Sequence, residues 1–293
     1  MPLPDADLHP VATGPAKRIV DEHADEQPLK LFAGWFCPFV QRVWITLEEK
    51  KIPYQYIEVN PYHKGEQLMS INPRGLVPTL QVGPGRSLYE STVVCEYLED
   101  HYPEHEPHIL PPKQQGKAGD DDADYQRARA RIWADYVTSR VIPAFHRFLQ
   151  FQPESGQDER AAAEQLDKLR GEYRDTLLTF ARELVKGGGP GPFFGGEDLG
   201  LVDIVLAPWA VRTWVLDEFK GGLAIPEPGS KEERDDQEAW ARWRTWLDAV
   251  TNRDSVKNTT SEREHYLPIY KRYADNTAQS ELAKATRAGR GVP

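Results

Sequence analysis

The pattern of hydrophobic and polar positions divides the chain into a mixed α/β part followed by a helical part. Short apolar runs predict four strands, at 29–33, 54–59, 79–82 and 87–89. Apolar positions at helical spacing predict three helices, which begin at Pro38, Glu66 and Ser91. Gly83-Pro84-Gly85-Arg86 separates the last two strands and is typical of a hairpin. The order is therefore βαβαββα, and the hairpin makes the four-stranded sheet mixed.

This order predicts a thioredoxin-like α/β domain over residues 28–103. Beyond about residue 122 the periodicity becomes helical, with amphipathic or apolar patterns at 127–150, 160–186, 201–219 and 238–250. We expect an all-helical domain over 123–275. The remaining segments are interpreted as an extension that is irregular or draped on the surface (1–27), a linker (104–122) and a loose tail (276–293).

Composition narrows the class of protein. The net charge is −10 and the acidic excess is spread along the chain, which argues against a nucleic-acid binder, because phosphates require a basic surface. No apolar run approaches the roughly 20 residues that span a bilayer, so we expect no membrane segment. The sequence after Met1 lacks the basic and apolar regions of a secretory signal. We therefore expect a cytoplasmic protein.

The chain has two cysteines, too few for a disulfide framework or a cysteine-rich metal site. Its eight histidines are scattered without metal-ligand spacing, so we expect no metal centre. Cys95 falls within a strongly apolar helical pattern, and we interpret it as part of the core rather than as a redox group.

Cys37 has a different setting, because it lies between a strand with its turn and a helix that begins at Pro38. Unpaired N–H groups and the positive end of the helix dipole at this position favour the thiolate, so we expect a pKa below that of a free thiol. Val40 stands where a second cysteine would form an internal disulfide. A lone thiolate here can form a mixed disulfide and wait for another thiol to resolve it. The alternative is a buried structural cysteine, the commonest fate of a free cysteine.

Three further features suggest a peptide-like anionic ligand beside Cys37. A proline before the third strand, in Val77-Pro78, is typically cis in such sheets and presents backbone groups to an extended peptide. Glu90-Ser91 at a helix start could pair with an ammonium and a carboxylate, or could be an ordinary helix cap after an exposed acid. Lys64 lies in a loop where it could meet a second carboxylate, or it could be solvated surface.

Three motifs resemble the glutathione site of omega-class glutathione transferases: Phe36-Cys37-Pro38-Phe39, Asn72-Pro73-Arg74-Gly75-Leu76-Val77-Pro78 and Leu88-Tyr89-Glu90-Ser91. The resemblance covers roughly residues 28–275. It implies glutathione as co-substrate, thioltransferase or dehydroascorbate reductase chemistry, and a homodimer. It also implies that Cys37 is catalytic and that glutathione is bound by Phe39, Lys64, Val77, Pro78, Glu90 and Ser91.

In the helical half the resemblance implies a cleft for a second substrate. Its candidate residues are Trp209, Arg212, Tyr266 and Tyr273, although Trp209 could equally belong to the core. Gly200-Leu201-Val202-Asp203 matches a helix-starting box of the family, so Asp203 is interpreted as structural. Three tryptophans are interpreted as packing residues: Trp240, Trp243 and Trp246.

We therefore expect a glutathione-dependent thiol transferase that forms and resolves a mixed disulfide at Cys37. The alternatives are conjugation of glutathione to an electrophilic metabolite, and a non-catalytic binding or scaffold protein of the same fold. The three intact motifs disfavour the non-catalytic alternatives, because an idle site has no need of them. The identity of the second substrate does not follow from the sequence.

Overall fold

The computed structural model describes residues 8–112, 121–187, 191–233 and 235–293. Three segments lie outside the described residues: the first seven residues of the predicted extension, residues 113–120 of the predicted linker 104–122, and the glycine-rich break at 188–190.

The first half contains four helices and four strands within the described residues. Their bounds are α1 (Gly14–Glu22), β1 (Lys30–Ala33), α2 (Pro38–Lys50), β2 (Gln55–Glu58), α3 (Glu66–Ile71), β3 (Thr79–Gly83), β4 (Arg86–Leu88) and α4 (Ser91–His101). The sheet order is β2-β1-β3-β4, with β1 and β2 parallel and the other neighbouring pairs antiparallel. Apart from α1, the order is βαβαββα, and the sheet is mixed. The predicted thioredoxin-like fold is confirmed.

The prediction of an irregular extension is wrong over 14–22, where the chain forms α1. Pro15 stands in the first turn of this helix, and Ala16 and Ile19, three positions apart, bury one face. The segment before α1 is also anchored, since His9 O accepts the indole N–H of Trp35 at 2.8 Å. One helical turn of apolar spacing was too short a signal to indicate this packing.

The second half is helical, as predicted. Its elements are α5 (Asp121–Tyr136), a π-helical turn (Val137–Val141), α6 (Ile142–Gln150), α7 (Glu159–Gly187), α8 (Leu201–Ala210), α9 (Trp214–Lys220), α10 (Gln237–Asn252), α11 (Asp254–Asn258), α12 (Arg263–Ala274) and α13 (Glu281–Arg287). The apolar run 201–219 forms two helices separated by a short turn. The tryptophans of α10 are buried, as expected. Among the described residues, no helix combines the length and the apolar character needed to cross a membrane.

Asp203 has the structural role predicted for it at the start of α8. Its carboxylate accepts the N–H groups of Gly200 and Phe194, each at 2.9 Å, and the indole N–H of Trp246 at 2.6 Å. Burial raises the pKa of Asp203 to about 6, and these donors oppose the rise. The carboxylate joins α8 to α10.

Helix α2 connects the two halves, because it packs against both α4 and α8. Arg42 donates from Nε to Val205 O on α8 at 3.1 Å. Gln41 donates from Nε2 to the backbone oxygen of Thr259 at 3.2 Å and to Thr260 Oγ1 at 2.9 Å. Cys37, at the start of α2, is thereby held at the boundary between the halves.

The prediction of a loose tail over 276–293 is wrong, because α13 lies within it. Ser280 caps this helix by accepting the N–H of Ala283 at 3.0 Å. Leu282 and Ala285 are buried, and α13 packs against α6. Ser280 also bonds to the hydroxyl of Tyr273 at 2.7 Å, which fixes the helix beside α12.

Candidate active site

Cys37 stands at the N-cap position of α2, directly after β1 and its turn. Pro38 is the first helical residue, as predicted, where its missing N–H costs nothing. The N–H of Cys37 donates to Gly34 O at 2.9 Å, which closes the turn. Its thiol is not in a disulfide, and the residue is partly exposed. Cys95 is also free but fully buried, where Thr46 donates a hydrogen bond to its sulfur at 3.2 Å.

The expected lowering of the Cys37 pKa is contradicted by the surroundings of the sulfur. Burial of the sulfur raises the pKa of the thiol above its ordinary value. The N–H groups of Val40 and Phe39 oppose this rise, as do the charges of Arg212 and Arg42. The helix N-terminus therefore acts in the expected direction, but loss of water around the sulfur outweighs it.

The Val77–Pro78 peptide lies beside the sulfur and is cis, as expected. The Sγ atom of Cys37 is 3.9 Å from Val77 O. Asn72, which is fully buried, holds the preceding turn by donating to Leu76 O at 3.1 Å and to Thr79 Oγ1 at 2.9 Å. Asn72 is thus a positioning residue of the site that sequence reasoning did not single out.

Helix α4 begins at Ser91, as predicted, but its N-cap residue is Glu90 and not Ser91. Glu90 has a φ of 69°, which is uncommon for a residue with a side chain. Ser91 is the first helical residue, and its buried Oγ accepts a hydrogen bond from Arg42 Nη1 at 3.1 Å. The Glu90 carboxylate pairs with Arg74 at 2.5 Å, and both side chains are about half exposed. Glu90 can therefore reach a ligand from the surface.

Lys64 lies in the loop before α3, and its side chain is exposed. Its Nζ donates to the backbone oxygen of Arg74 at 3.0 Å. The side chain of Lys64 is therefore held at the same loop as Arg74, whose guanidinium pairs with Glu90. The stem of Lys64 also lies against Gly75, where a Cβ would come within 2.7 Å of it. Gly75 has a φ of 59° as well, so both its backbone and its surroundings favour glycine.

These residues surround one cleft of about 1120 Å³. Most of the candidate site residues line it: Cys37, Phe39, Lys64, Val77, Pro78, Glu90, Ser91 and Tyr273. The cleft is also lined by residues that the sequence did not indicate: Arg42, Tyr62, His146, Ile269 and Tyr270. A volume of this size exceeds that of a typical drug-sized pocket and accommodates a tripeptide together with a second molecule.

Three of the four predicted second-substrate residues do not line the cleft. Trp209, Arg212 and Tyr266 are each at most 2% exposed and lie behind its wall. The Trp209 ring packs against Phe39, with centroids 5.1 Å apart, and its indole N–H donates to His146 Nε2 at 3.3 Å. Arg212 donates to the hydroxyl of Tyr266 at 3.3 Å. These three residues pack behind the residues that line the cleft and do not line it themselves.

Helix α13 and the residues after it form a further wall. Leu282 is buried, while Lys284 and Val292 line the cleft at its edge. Apolar side chains from α12 and α13 therefore face the motif that holds Cys37, and the cleft is bounded by both halves of the chain.

Comparison with known proteins agrees with this geometry. The family model described as "Glutathione S-transferase, N-terminal domain" matches residues 36–101, and "Glutathione S-transferase, C-terminal domain" matches residues 159–249. A probable glutathione S-transferase GSTU1 of Oryza sativa subsp. japonica is 35% identical over 83% of this chain and 94% of that protein. Glutathione S-transferase omega-1 of Sus scrofa is 30% identical over 64% of this chain and 68% of that protein. The crystal structure of glutathione transferase Omega 3C from Trametes versicolor superposes with a TM-score of 0.73, at 39% identity, covering 92% of this chain and all of that one.

Proposed function

Because the chain belongs to the glutathione transferase family and to its omega class, we propose that it is a glutathione-dependent thiol transferase that works through Cys37. The observation that carries the proposal is the position of this thiol, at a helix N-terminus and 3.9 Å from Val77 O, on the wall of the cleft. In the described residues no other cysteine reaches the cleft, since Cys95 is buried between α2 and α4. In this proposal Cys37 therefore forms a mixed disulfide with glutathione and not an internal disulfide with a second cysteine.

Glutathione supplies the chemical groups that the cleft is suited to hold. Its cysteine backbone would pair with the backbone of Val77 before Pro78, as an added strand does. Its γ-glutamyl carboxylate fits the hydroxyl of Ser91 at the start of α4, and its ammonium fits Glu90. Lys64 would meet the glycine carboxylate from the opposite loop.

The proposed reaction has two displacement steps. The Cys37 thiol first loses its proton, and the thiolate attacks the glutathionyl sulfur of a mixed disulfide R–S–S–G. A Cys37–glutathione disulfide forms and R–S⁻ leaves, taking a proton from solvent. The thiolate of a second glutathione then attacks the glutathione sulfur, so oxidised glutathione leaves and Cys37 is restored. The sum converts R–S–S–G and one glutathione thiol into R–SH and oxidised glutathione. Reduction of dehydroascorbate to ascorbate instead consumes two glutathione thiols, which leave as oxidised glutathione.

Conjugation of glutathione to an electrophilic metabolite is a second candidate, favoured by the apolar side chains of Phe39, Ile269 and Leu282, which line the same cleft as Cys37. A single comparison separates the two. Turnover of β-hydroxyethyl disulfide with glutathione measures thiol transfer, and turnover of 1-chloro-2,4-dinitrobenzene measures conjugation. The proposal expects the first to exceed the second and to vanish in Cys37→Ser. A protein active only on the aryl halide would instead be a conjugating enzyme, and one inactive on both would be a binding protein.

We also propose that the protein is a homodimer. Five of the six large apolar side chains that are exposed among the described residues lie on α3, β4, α4 and α5 or directly beside them: Met69, Tyr89, Val93, Tyr125 and Ile132. Helices α4 and α5 are adjacent, since Arg131 pairs with Glu96 at 2.6 Å. Exposed apolar side chains grouped on neighbouring elements are typical of an interface, and a second copy is the occupant that family membership favours.

A further inference from the structure

Two guanidinium groups are buried without a counter-ion, that of Arg42 in the cleft wall and that of Arg212 behind it. Arg42 and Arg212 are each 1% exposed. In the parts of the chain that the structure describes, no carboxylate forms a hydrogen bond or an ion pair with either of them. Burying a charge carries a large desolvation cost unless the charge is compensated, so this arrangement requires a physical reason.

The immediate partners of Arg42 are all neutral. It donates to Val205 O and Ser91 Oγ, each at 3.1 Å, and its guanidinium lies 5.1 Å from the ring centre of Phe39 and 4.9 Å from that of Trp209. Stacking on two aromatic rings stabilises a cation without neutralising it. Burial lowers the pKa of Arg42 to about 10, so the group still carries its proton at neutral pH.

Arg212 has the same kind of surroundings. It donates to Pro208 O at 2.6 Å, to Gln41 Oε1 and to the hydroxyl of Tyr266 at 3.3 Å, and it lies 4.9 Å from the ring centre of Tyr266. Its Nε is buried and has no hydrogen-bond partner. Two positive charges therefore remain uncompensated in the same region.

Two other buried cations of the described residues are paired with carboxylates, whereas Lys220, at 9% exposure, donates to the backbone oxygens of Phe151 and Ala274. Arg127, which is 4% exposed, pairs with Asp100 at 3.1 Å, and the fully buried Lys50 pairs with Glu99 at 2.8 Å. The whole chain also carries a net charge of −10. The chain therefore has carboxylates available to pair with buried arginines, and Arg42 and Arg212 are buried without one.

Cys37 and Arg42 line the same cleft at the start of α2, and Arg212 donates to Gln41 of that helix. Both guanidinium charges favour the anionic form of Cys37. Arg42 also acts on Cys95, but that thiol is buried away from the cleft. The two buried titratable neighbours at the cleft are uncharged near neutral pH, since burial raises the pKa of Tyr270 and lowers that of His146 to about 3. Six other titratable side chains at the cleft are exposed, so solvent screens their charges: His63, Lys64, Tyr89, Glu90, Glu281 and Lys284. The buried guanidinium groups are therefore the charges that act on the sulfur with least screening.

We propose that Arg42 and Arg212 are paired positioning residues whose uncompensated charges stabilise the anionic sulfur of Cys37. The inference rests on the proposed thiol transfer, in which this sulfur is anionic twice, when it attacks and when it leaves the mixed disulfide. A better-stabilised leaving thiolate speeds the second step. The missing carboxylates then have a reason, because a carboxylate beside either guanidinium would cancel its effect on the sulfur.

The test is the pH dependence of Cys37 alkylation by iodoacetamide, a neutral reagent, followed at this residue by mass spectrometry in the absence of glutathione. Arg42→Gln and Arg212→Gln should each raise the midpoint by about one pH unit, the size expected when a nearby opposite charge is removed. Arg42→Lys, which keeps the charge, should leave the midpoint close to that of the wild type. Arg127→Gln is the matched control, because it removes a buried arginine and should leave the midpoint of Cys37 alkylation unchanged.

Unchanged midpoints in folded Arg42→Gln and Arg212→Gln proteins would overturn the inference and leave the two arginines a purely structural role. If the glutamine variants do not fold, Arg42→Met and Arg212→Met replace the charge by an apolar chain, a change that buried ionic sites often tolerate. The same midpoint shift is expected of them. The outcome is independent of turnover: thiol transfer without a shift refutes only the inference, and a shift without thiol transfer refutes only the proposed function.

Discussion

The hydroxyl of Ser91 accepts a hydrogen bond from the buried guanidinium of Arg42 at 3.1 Å. Because the guanidinium donates to the oxygen, the hydroxyl proton is free to donate to a ligand, and the carboxylate of glutathione is a suitable acceptor. The residue that the sequence suggests as a helix cap is thus better described as a donor aimed by a buried cation.

Replacing Ser91 by alanine should therefore weaken glutathione binding. A hydrogen bond to a charged group contributes about 1.5–3 kcal/mol, so we expect a loss of about ten- to a hundred-fold in affinity, measured by calorimetric titration. Ser91→Thr, which keeps the hydroxyl, is the control. If Ser91→Ala lowers the unfolding temperature but leaves the affinity unchanged, the γ-glutamyl carboxylate is bound elsewhere.

Cys37→Ser should abolish thiol transfer. Removal of a covalent nucleophile should lower turnover of β-hydroxyethyl disulfide by roughly 10³-fold or more. Glutathione affinity should stay within about threefold of the wild type, because binding depends on Val77, Glu90 and Ser91. Cys95→Ser is the matched control and should keep turnover, since Cys95 is buried away from the cleft. Turnover retained by Cys37→Ser would assign the chemistry to another group.

The sequence predicts the part of the site that local motifs encode. Cys37 before Pro38, Val77 before Pro78, and Glu90 before Ser91 each lie at the end of a strand or the start of a helix, so their placement follows from a few neighbouring residues. All of them line the cleft.

The rest of the site depends on tertiary packing that periodicity does not record. His146 and Tyr270 reach the cleft only because α6 and α12 pack together. Arg42 is five residues after Cys37 in the sequence. This spacing does not predict that its guanidinium is buried without a carboxylate partner. The raised pKa of Cys37 has the same origin, since a helix N-terminus is visible in the sequence and the burial of the sulfur is not.

Glu58 should make stability depend on pH. Burial raises the pKa of its carboxyl to about 8, against about 4.3 in an unfolded chain. Between these values the folded protein keeps a proton that the unfolded chain loses, so the contribution of Glu58 to stability falls as the pH rises from about 4 to about 8. Glu58→Gln cannot titrate, and its Oε1 can still accept the N–H of Trp35, which lies 3.0 Å from the Glu58 oxygen.

The measurement is urea unfolding of wild type and Glu58→Gln at several pH values. The two free energies of unfolding should be similar near pH 4, and the variant should become the more stable by roughly 1–4 kcal/mol near pH 8. Glu66→Gln, which replaces an exposed glutamate in the first turn of α3, is the control for the loss of a surface carboxyl. Parallel curves for wild type and Glu58→Gln would show that the carboxyl titrates normally.

The dimer proposal predicts the effect of charges on α4 and α5. Val93 and Ile132 are 56% and 66% exposed, so glutamate at either position should not disturb the fold of one subunit. The double variant Val93→Glu with Ile132→Glu should sediment as a monomer of about half the wild-type mass, because burying two carboxylates in an interface is costly. Val11→Glu, at an exposed apolar position away from these helices, is the control. A monomeric wild type at micromolar concentration would end the proposal.

The last prediction concerns α13, which closes the cleft on the side away from the glutathione motifs. Leu282, Lys284 and Val292 line the cleft, whereas the residues proposed to bind glutathione all come from the first half of the chain. A chain that ends at Ala278 should therefore keep its glutathione affinity within about threefold and change KM for the second substrate by about tenfold or more, because an apolar wall is lost. Leu282→Ala, which shortens one side chain of that wall, should show a smaller change in the same direction. Steady-state kinetics with β-hydroxyethyl disulfide, together with calorimetric titration of glutathione, separates the two effects. A truncated protein with wild-type KM values would show that α13 covers the cleft without contacting the second substrate.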